Sequence, residues 1–282
     1  MADLLLGKPV GDALSEKTAA LAEELTAQGI QPTLAIVRVG ERPDDLSYER
    51  GACKRAEALG IAVRKFLLPE DASQDDVLAA IAQVNDDASI HGCLMFRPLP
   101  KGIDEAAVCN ALDPAKDVDG ITAGSLAGVF MDTGVGFPPC TAQACVEILD
   151  HYGFDVEGKS VAVVGRSLVI GKPVAMMLLA RNATVTLCHS RSRELPTICR
   201  EADIVVYATG RPRAYSLEHF SGGQTVLDVG INVDEEGNLC GDVDFAAAEP
   251  VVGAITPVPR GVGSVTTAVL MRHVVEAAVA CK

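Results

Sequence analysis

The chain has no run of about 20 apolar residues, the length that a helix needs to span a bilayer, although 49% of its 282 residues are hydrophobic. Its first residues, MADLLLGKPVGDALSEK, lack a basic segment followed by a long apolar one. We therefore expect neither a membrane span nor a secretory signal. The composition predicts a soluble cytoplasmic protein with a substantial core.

Positive charge is also scarce. The 24 Lys and Arg residues are outnumbered by 38 Asp and Glu residues, which leaves a formal net charge of −14. Binding to nucleic acid depends on Lys and Arg that release counterions from phosphates, so a nucleic-acid partner is not expected. A small anionic ligand remains possible, because it needs only a local cluster of cations.

The nine cysteines contain no C-x-x-C pair and are spread through segments of helical and strand-like character. This pattern is typical of reduced thiols in a cytosolic protein, not of a disulfide framework. The ligand spacing of known zinc sites is missing as well, so we expect no metal.

Strand-like and helix-like segments alternate along the chain, which predicts βαβ units and parallel sheets, hence an α/β fold. A glycine-rich irregular stretch at 116–136 separates two such blocks and is interpreted as the crossing between two domains. The expected strands are Thr33–Val39, Ile61–Leu68, Ile90–Phe96, Ser160–Val164, Thr184–Cys188, Ile204–Tyr207, Thr225–Val229 and Gly253–Ile255.

The segment VAVVGRSLVIGKP at 161–173 is the most informative local feature. A buried strand runs into Gly165, and a helix begins near Gly171 with Pro173 in its first turn. Glycines at such a turn let the backbone approach a pyrophosphate, which the free N–H groups of the helix stabilise. Because the spacing is not G-x-G-x-x-G, a tight turn without a ligand is the alternative.

The end of the next strand distinguishes the two dinucleotides. An NAD-binding fold usually has an Asp or Glu there to accept from the ribose 2′-hydroxyl. Here the strand is followed by His189, Ser190 and Arg191, with no carboxylate before Glu194. Together with Arg166 in the first loop, this cluster suits a 2′-phosphate, which favours NADP. A solvated basic turn is the alternative.

Ordered motifs along almost the whole chain resemble the methylenetetrahydrofolate dehydrogenase/methenyltetrahydrofolate cyclohydrolase family. They are LSYERGACKRAEALGI at 46–61, HGCLMFRPLP at 91–100, PAKDVDG at 114–120, PPCTAQACVEIL at 138–149, VVGRSLVIGKP at 163–173, ATVTLCHSRS at 183–192, ADIVVYATG at 202–210, LDVGIN at 227–232, GDVDF at 241–245 and ITPVPRGVGSVT at 255–266.

The resemblance implies a three-layer α/β domain at 1–137, completed by the C-terminal helix at 264–282, and a Rossmann-like NADP-binding domain at 138–263. The active-site cleft of the family lies between the two domains. The family's members usually form homodimers through the Rossmann domains. Tetrahydrofolate derivatives are the implied substrates.

The resemblance also implies site residues. Tyr48 would line the folate cleft, and Asp119 would hold the pterin ring, whose amino group and ring N–H a carboxylate can accept; these two are the candidate catalytic residues. The candidate substrate-binding residues are Tyr48, Phe96, Arg97, Asp119, Pro257, Val258, Pro259, Arg260 and Gly261. The candidate cofactor-binding residues are Gly165, Arg166, Ser167, His189, Ser190, Arg191, Thr209, Gly210 and Ile231.

The chain departs from the family at three positions. The family pairs the tyrosine with a lysine four residues on, which an i,i+4 spacing places on the same helix face, but Ala52 stands there. Phe96 replaces a glutamine that assists this lysine. Arg260 replaces a glycine, where it would meet the glutamate tail of folate or a cofactor phosphate.

These departures affect the two half-reactions differently. Hydride removal needs orientation of the substrate and no general base, whereas hydrolysis of the methenyl product needs water to be activated. We therefore expect an NADP-dependent methylenetetrahydrofolate dehydrogenase whose cyclohydrolase activity is weak or lost. A fully bifunctional enzyme that activates water through Tyr48 or Arg97-bound solvent is one alternative. A non-catalytic protein that binds folate or nucleotide is the other.

Overall fold

Residues 1–281 are described by a computed structural model and form ten α-helices and eleven strands. The helices are α1 (Gly7–Ala27), α2 (Pro43–Ala58), α3 (Gln74–Asp86), α4 (Glu105–Ala111), α5 (Ala123–Met131), α6 (Cys140–His151), α7 (Gly171–Ala180), α8 (Leu195–Glu201), α9 (Phe245–Ala248) and α10 (Thr266–Ala280). The strands are β1 (Asp3–Leu4), β2 (Thr33–Val39), β3 (Ala62–Leu68), β4 (Gly92–Met95), β5 (Ser160–Val164), β6 (Thr184–Cys188), β7 (Ile204–Tyr207), β8 (Thr225–Asp228), β9 (Asn232–Val233), β10 (Leu239–Cys240) and β11 (Ala254–Ile255).

The chain divides into two compact units, each built on one parallel sheet. The three-stranded unit comprises residues 13–140 and the chain from Thr267 onward, and the six-stranded unit comprises residues 1–12 and 141–266. Both sheets are parallel, as the alternation of strands and helices predicts.

In the three-stranded unit the strand order is β3-β2-β4. Successive side chains of β2 point to opposite faces of the sheet. Ala35 and Val37 pack into a buried cluster with Val77 and Ile81 of α3 and with residues of α4. The opposite face is also buried, since Leu34 and Ile36 are 0% exposed. A sheet covered on both faces explains the uninterrupted apolar run Leu34–Val37 within β2.

In the six-stranded unit the order is β1-β11-β8-β7-β5-β6. Strand β5 pairs with β6 on one side and with β7 on the other. The chain therefore goes from β5 to β6, and then crosses over β5 to reach β7. Such a switch point opens a crevice at the carboxyl ends of the strands, which is where ligands bind in open α/β sheets.

The α/β fold class is confirmed, and several features were not expected. The stretch at 116–136 contains helix α5, whose N-terminus is capped by Thr122 accepting from the Ser125 N–H. Residues 1–12 lie in the six-stranded unit and not with the rest of the proposed N-terminal domain. The reason is that Asp3 and Leu4 pair with Ala254 and Ile255.

Three further findings concern the described residues, 1–281. No helix among them is long and apolar enough to cross a membrane. All nine cysteines are free thiols. No group of three or more His, Cys, Asp and Glu side chains in this part of the chain could hold a metal ion.

Candidate active site

The turn that carries Asp119 is held by its two charged neighbours. The Lys116 ammonium donates to the carbonyls of Val84, Asn85 and Asp87 at 2.7–2.8 Å, at the C-terminal end of α3. The Asp117 carboxylate is fully buried and accepts from the N–H groups at positions 121 and 122 at 2.9 and 2.8 Å. Within PAKDVDG, Lys116 and Asp117 are therefore structural, and they position Asp119.

Burial raises the pKa of Asp119 to about 6, while a hydrogen bond with the Cys140 thiol and the charge of Arg97 act in the opposite direction. The Cys140 thiol lies at the start of α6, 3.2 Å from the Val118 carbonyl oxygen. His273 Nδ1 of α10 lies 2.9 Å from the same oxygen. Cys140 thus contacts the candidate carboxylate. PPCTAQACVEIL contained this cysteine, but no role followed from the motif alone.

Tyr48 lies on α2 beside an apolar wall. Its ring meets the ring of Phe96 edge-on, with centroids 5.9 Å apart and planes at 82°. Ala52, one turn further along α2, is fully buried, whereas Lys54 is exposed. Burial and the charge of Asp119 raise the pKa of the Tyr48 hydroxyl well above its ordinary value. The positions where the family has lysine and glutamine therefore carry side chains that cannot move a proton.

Arg97 is the cation of this group. Its guanidinium lies 3.9 Å from Glu105 and lowers the pKa of Asp119 through its charge. Its carbonyl oxygen accepts from Arg42 Nη2 at 2.9 Å. The three-stranded unit thus brings together all four of its sequence-predicted site residues, which are Tyr48, Phe96, Arg97 and Asp119.

In the six-stranded unit the loop after β5 is shaped by two glycines. Gly165 has φ +133°, and a Cβ there would collide with the Ala208 carbonyl oxygen. A Cβ on Gly171 would collide with the Gly165 carbonyl oxygen. The Ser167 hydroxyl accepts from the Ile170 N–H at 3.1 Å. The loop therefore packs closely onto the first turn of α7, which begins at Gly171 as expected.

The end of β6 lies beside this loop, because the Gly165 N–H donates to the Cys188 carbonyl at 3.0 Å. The following turn is tight: the His189 N–H donates to Ser192 Oγ at 2.9 Å, and the Arg191 N–H donates to His189 Nδ1 at 3.1 Å. The side chains of Arg166, Ser190 and Arg191 are exposed. The sequence-predicted cationic cluster is thus available to a ligand at the edge of the sheet.

The remaining candidates lie at the carboxyl ends of neighbouring strands. Thr209 and Gly210 follow β7, and Ile231, which is 65% exposed, follows β8. The loop 257–261 follows β11. A cavity of about 230 Å³ lies between this loop and the end of β8, and residues 228–231, 239 and 257–264 line it.

Arg260 adopts φ +83°, a left-handed conformation that favours glycine. Its carbonyl oxygen accepts from the Gly7 N–H at 2.8 Å. The loop therefore keeps the backbone geometry that suits the glycine of the related family, despite the substitution.

The described fold and geometry agree with comparisons against known proteins. The model of the tetrahydrofolate dehydrogenase/cyclohydrolase catalytic domain matches residues 5–119, and that of the NAD(P)-binding domain of the same family matches residues 139–282. The bifunctional protein FolD of Carboxydothermus hydrogenoformans is 51% identical over 279 residues, which are 98% of this chain and 97% of that protein.

Two solved structures extend the comparison. The bifunctional FolD dehydrogenase/cyclohydrolase of Campylobacter jejuni has a TM-score of 0.96 at 34% identity and covers 99% of both chains. The Trypanosoma brucei dehydrogenase-cyclohydrolase, complexed with NADP cofactor and inhibitor, has a TM-score of 0.92 at 31% identity, covering 99% of this chain and 98% of that one. The chain belongs to the tetrahydrofolate dehydrogenase/cyclohydrolase family.

Proposed function

We propose that the chain oxidises 5,10-methylenetetrahydrofolate to 5,10-methenyltetrahydrofolate with NADP and then hydrolyses the product to 10-formyltetrahydrofolate. In this proposal the three-stranded unit (13–140 and 267 onward) binds the folate, and the six-stranded unit (1–12 and 141–266) binds the cofactor. The observation that carries it is the loop at 165–171, closely packed on a helix N-terminus and flanked by cations. Relatives named for both activities support it.

The cofactor site fits NADP in this chain. Gly165 and Gly171 leave no room for a Cβ, so the loop backbone can approach a pyrophosphate. Arg166 and Arg191 are exposed at the same edge and supply the fork of donors that suits a 2′-phosphate. The nicotinamide ring, when bound, accepts the hydride. The Trypanosoma brucei relative, complexed with NADP, supports the same cofactor here.

On the folate side, Asp119 would hold the pterin ring by accepting from its amino group and ring N–H. The turn is fixed by Lys116 and Asp117, so the carboxylate would need little reorganisation when the substrate binds. Tyr48 would line the site, and the loop 257–261 would lie at the nicotinamide. Dehydrogenation then needs only orientation of the methylene carbon, which these residues supply without a general base.

For hydrolysis, the relatives favour the bifunctional alternative over the loss that Ala52 and Phe96 led us to expect. Tyr48 and Arg97 carry the polar side chains that remain beside Ala52 and Phe96. The raised pKa of Tyr48 excludes it as a base near pH 7, and a guanidinium stays protonated. We therefore propose that Arg97 donates to the attacking water and positions it. As the water oxygen bonds to the methenyl carbon, solvent takes one proton and leaves a neutral hydroxyl. The carbon–N5 bond then breaks as the hydroxyl becomes the formyl carbonyl; solvent takes the hydroxyl proton and supplies one to N5.

A single assay separates the possibilities. Purified protein is mixed with methylenetetrahydrofolate and NADP, and NADPH, methenyl and 10-formyl products are followed together. We expect NADPH to form and the methenyl product to disappear faster than it does without protein. If methenyltetrahydrofolate accumulates and decays only as fast as it does without protein, the chain is a dehydrogenase that lacks cyclohydrolase activity. The absence of NADPH would point to a protein that only binds folate or nucleotide.

Variants test the hydrolytic part. We expect Arg97→Met to lower cyclohydrolase activity by about a hundredfold, the low end of the effect of losing a polar catalytic group, and to lower dehydrogenase activity less. Lys54→Met is the matched control, because Lys54 is a cation on α2 that is exposed to solvent. The pair Ala52→Lys with Phe96→Gln should raise hydrolysis. Equal loss of both activities in Arg97→Met would contradict the assignment.

We further propose that the protein is a cytoplasmic homodimer joined through the six-stranded units. Strand β6 is the edge of its sheet, and Leu187 on it and Leu179 on α7 are 37% and 52% exposed. An exposed apolar edge strand is a ready pairing surface. We expect a dimer by light scattering and a monomer for Leu187→Asp. Leu217→Asp is the control, since Leu217 is 60% exposed in the same unit, and a dimeric Leu187→Asp would reject this interface.

A further inference from the structure

Asp242, in GDVDF, is a fully buried carboxylate that accepts five hydrogen bonds. Three come from consecutive backbone N–H groups in the loop after β7, those of Thr209, Gly210 and Arg211, at 2.5, 3.1 and 2.8 Å. The other two come from the Thr209 hydroxyl at 3.0 Å and from Asn232 Nδ2 at 2.9 Å. One side chain therefore fixes the loops that follow two neighbouring strands.

A second buried carboxylate holds Asp242 itself. Asp228, at the end of β8, accepts from the backbone N–H groups of Gly230, Asp242 and Val243 at 3.0–3.1 Å. The two carboxylates are interlocked through glycines. A Cβ on Gly230 would collide with the Asp242 carboxylate, and a Cβ on Gly241 would collide with the Asp228 carboxylate.

The network also reaches the third loop of the site. Thr256 Oγ1 accepts from the Asp228 N–H at 2.8 Å, and Thr256 immediately precedes the loop 257–261. The carboxyl ends of β7, β8 and β11 are thus joined by hydrogen bonds to three buried side chains, those of Asp228, Asp242 and Thr256. The residues in these loops include the proposed cofactor contacts Thr209, Gly210 and Ile231.

We propose that Asp242 is a positioning residue for the cofactor site, and that it determines how the Thr209–Arg211 loop meets the dinucleotide. The three N–H groups of the loop point to Asp242, so they are not donors to a phosphate. The loop is left to present its carbonyl oxygens to hydrogen-bond donors, which are the ribose hydroxyls and amino groups of the cofactor. Phosphate recognition then belongs to the loop after β5. This inference rests on the proposed function.

The substitution Asp242→Asn tests the proposal. An amide offers one acceptor oxygen where the carboxylate has two, and its NH₂ faces the loop donors, so three aligned N–H groups cannot all be satisfied. We expect NADPH affinity to fall at least tenfold, measured by NADPH fluorescence, which is favourable here because the chain has no tryptophan. The KM for NADP should rise correspondingly, while the KM for methylenetetrahydrofolate changes by less than threefold.

Asp244→Asn is the matched control. Asp244 lies two residues away and caps α9 by accepting from the Ala247 N–H. This variant should bind NADPH like the unmodified protein. If Asp242→Asn does not fold, Asn232→Ala removes one of the five donors from a partly exposed position and should weaken NADPH binding two- to fivefold.

The outcomes separate the two proposals. A folded Asp242→Asn protein with unchanged NADPH affinity would overturn the positioning role, as would equal increases in both KM values. For Asn232→Ala, unchanged NADPH affinity would overturn it. If the unmodified protein binds NADPH but does not oxidise methylenetetrahydrofolate, the proposed function fails and the binding comparison still tests Asp242.

Discussion

The rate of dehydrogenation should depend on pH through Asp119. A carboxylate that accepts from a pterin must be ionised, and burial raises the pKa of Asp119 to about 6. The pH dependence of kcat/KM reports the pKa of groups in the free enzyme. Below pH 6 the ionised fraction falls by a factor of ten for each pH unit. We therefore expect kcat/KM at pH 5 to be about tenfold below its plateau above pH 7.

Two groups near Asp119 should determine the pH at which the profile of kcat/KM inflects. The Cys140 thiol and the Arg97 guanidinium both lower the pKa of Asp119, against the larger effect of burial. Cys140→Ala and Arg97→Met should therefore each shift the inflection to higher pH. Asp119→Asn, which does not titrate, should show a low rate without the inflection.

The assay is the initial rate of NADPH formation from pH 5 to 8 at low substrate, with the folate concentration measured at each pH. Lys54→Met should show the same inflection as the unmodified protein, because Lys54 is exposed. A flat profile between pH 5 and 7 would refute the role of Asp119 as an ionised acceptor. An inflection that neither Cys140→Ala nor Arg97→Met moves would refute the assigned cause.

Three further predictions concern stability. Glu49→Gln should lower the free energy of unfolding by about 3–5 kcal/mol in urea, because it leaves the buried guanidinium of Arg38 without its charged partner, which lies at 2.8 Å; a loss below 1 kcal/mol would contradict this. Burial lowers the pKa of His273 from 6.5 to about 3, so the unfolded chain takes up the proton first and stability falls as pH drops below 6.5. Relative to His273→Asn, the unmodified protein should lose about 2 kcal/mol of unfolding free energy between pH 6.5 and 5, at 1.36 kcal/mol per pKa unit. If the unfolding free energies of the two proteins change in parallel with pH, His273 is not the cause. Arg260→Gly should raise stability by about 1 kcal/mol by relieving φ +83°, and an unchanged melting temperature would argue against strain there.

Much of the parallel-sheet framework could be predicted because it depends on local pattern. Strands β2, β5, β6 and β7 have the expected bounds, since each is a short apolar or β-branched run between turn residues. Strand β1 was not expected. Its two residues form a strand only because they pair with Ala254 and Ile255, about 250 positions away, and no local signal encodes such a pairing.

Helix α5 was missed for a different reason. Its sequence, AGSLAGVFM, contains two glycines, and glycine costs about 1 kcal/mol in a helix interior relative to alanine. Gly124 and Gly128 are nevertheless required there, because a Cβ would collide with Pro114 and with the Val135 carbonyl oxygen respectively. Tertiary packing therefore overrides the local preference, which a sequence pattern cannot show.

The limits on predicting the site follow from the chemistry of aspartate. Asp117, Asp119 and Asp242 stand in similar short motifs, DVDG and GDVDF, yet the structure separates them by their partners. The carboxylates of Asp117 and Asp242 accept from two and three backbone N–H groups, respectively, so their acceptor capacity fixes the fold around the site. For Asp119, burial raises the pKa to about 6, against the Cys140 thiol and the charge of Arg97. A buried carboxylate whose ionised form is only weakly stabilised by the protein gains most from donors on a ligand, which is the physical reason to assign ligand binding to Asp119 and positioning to the other two.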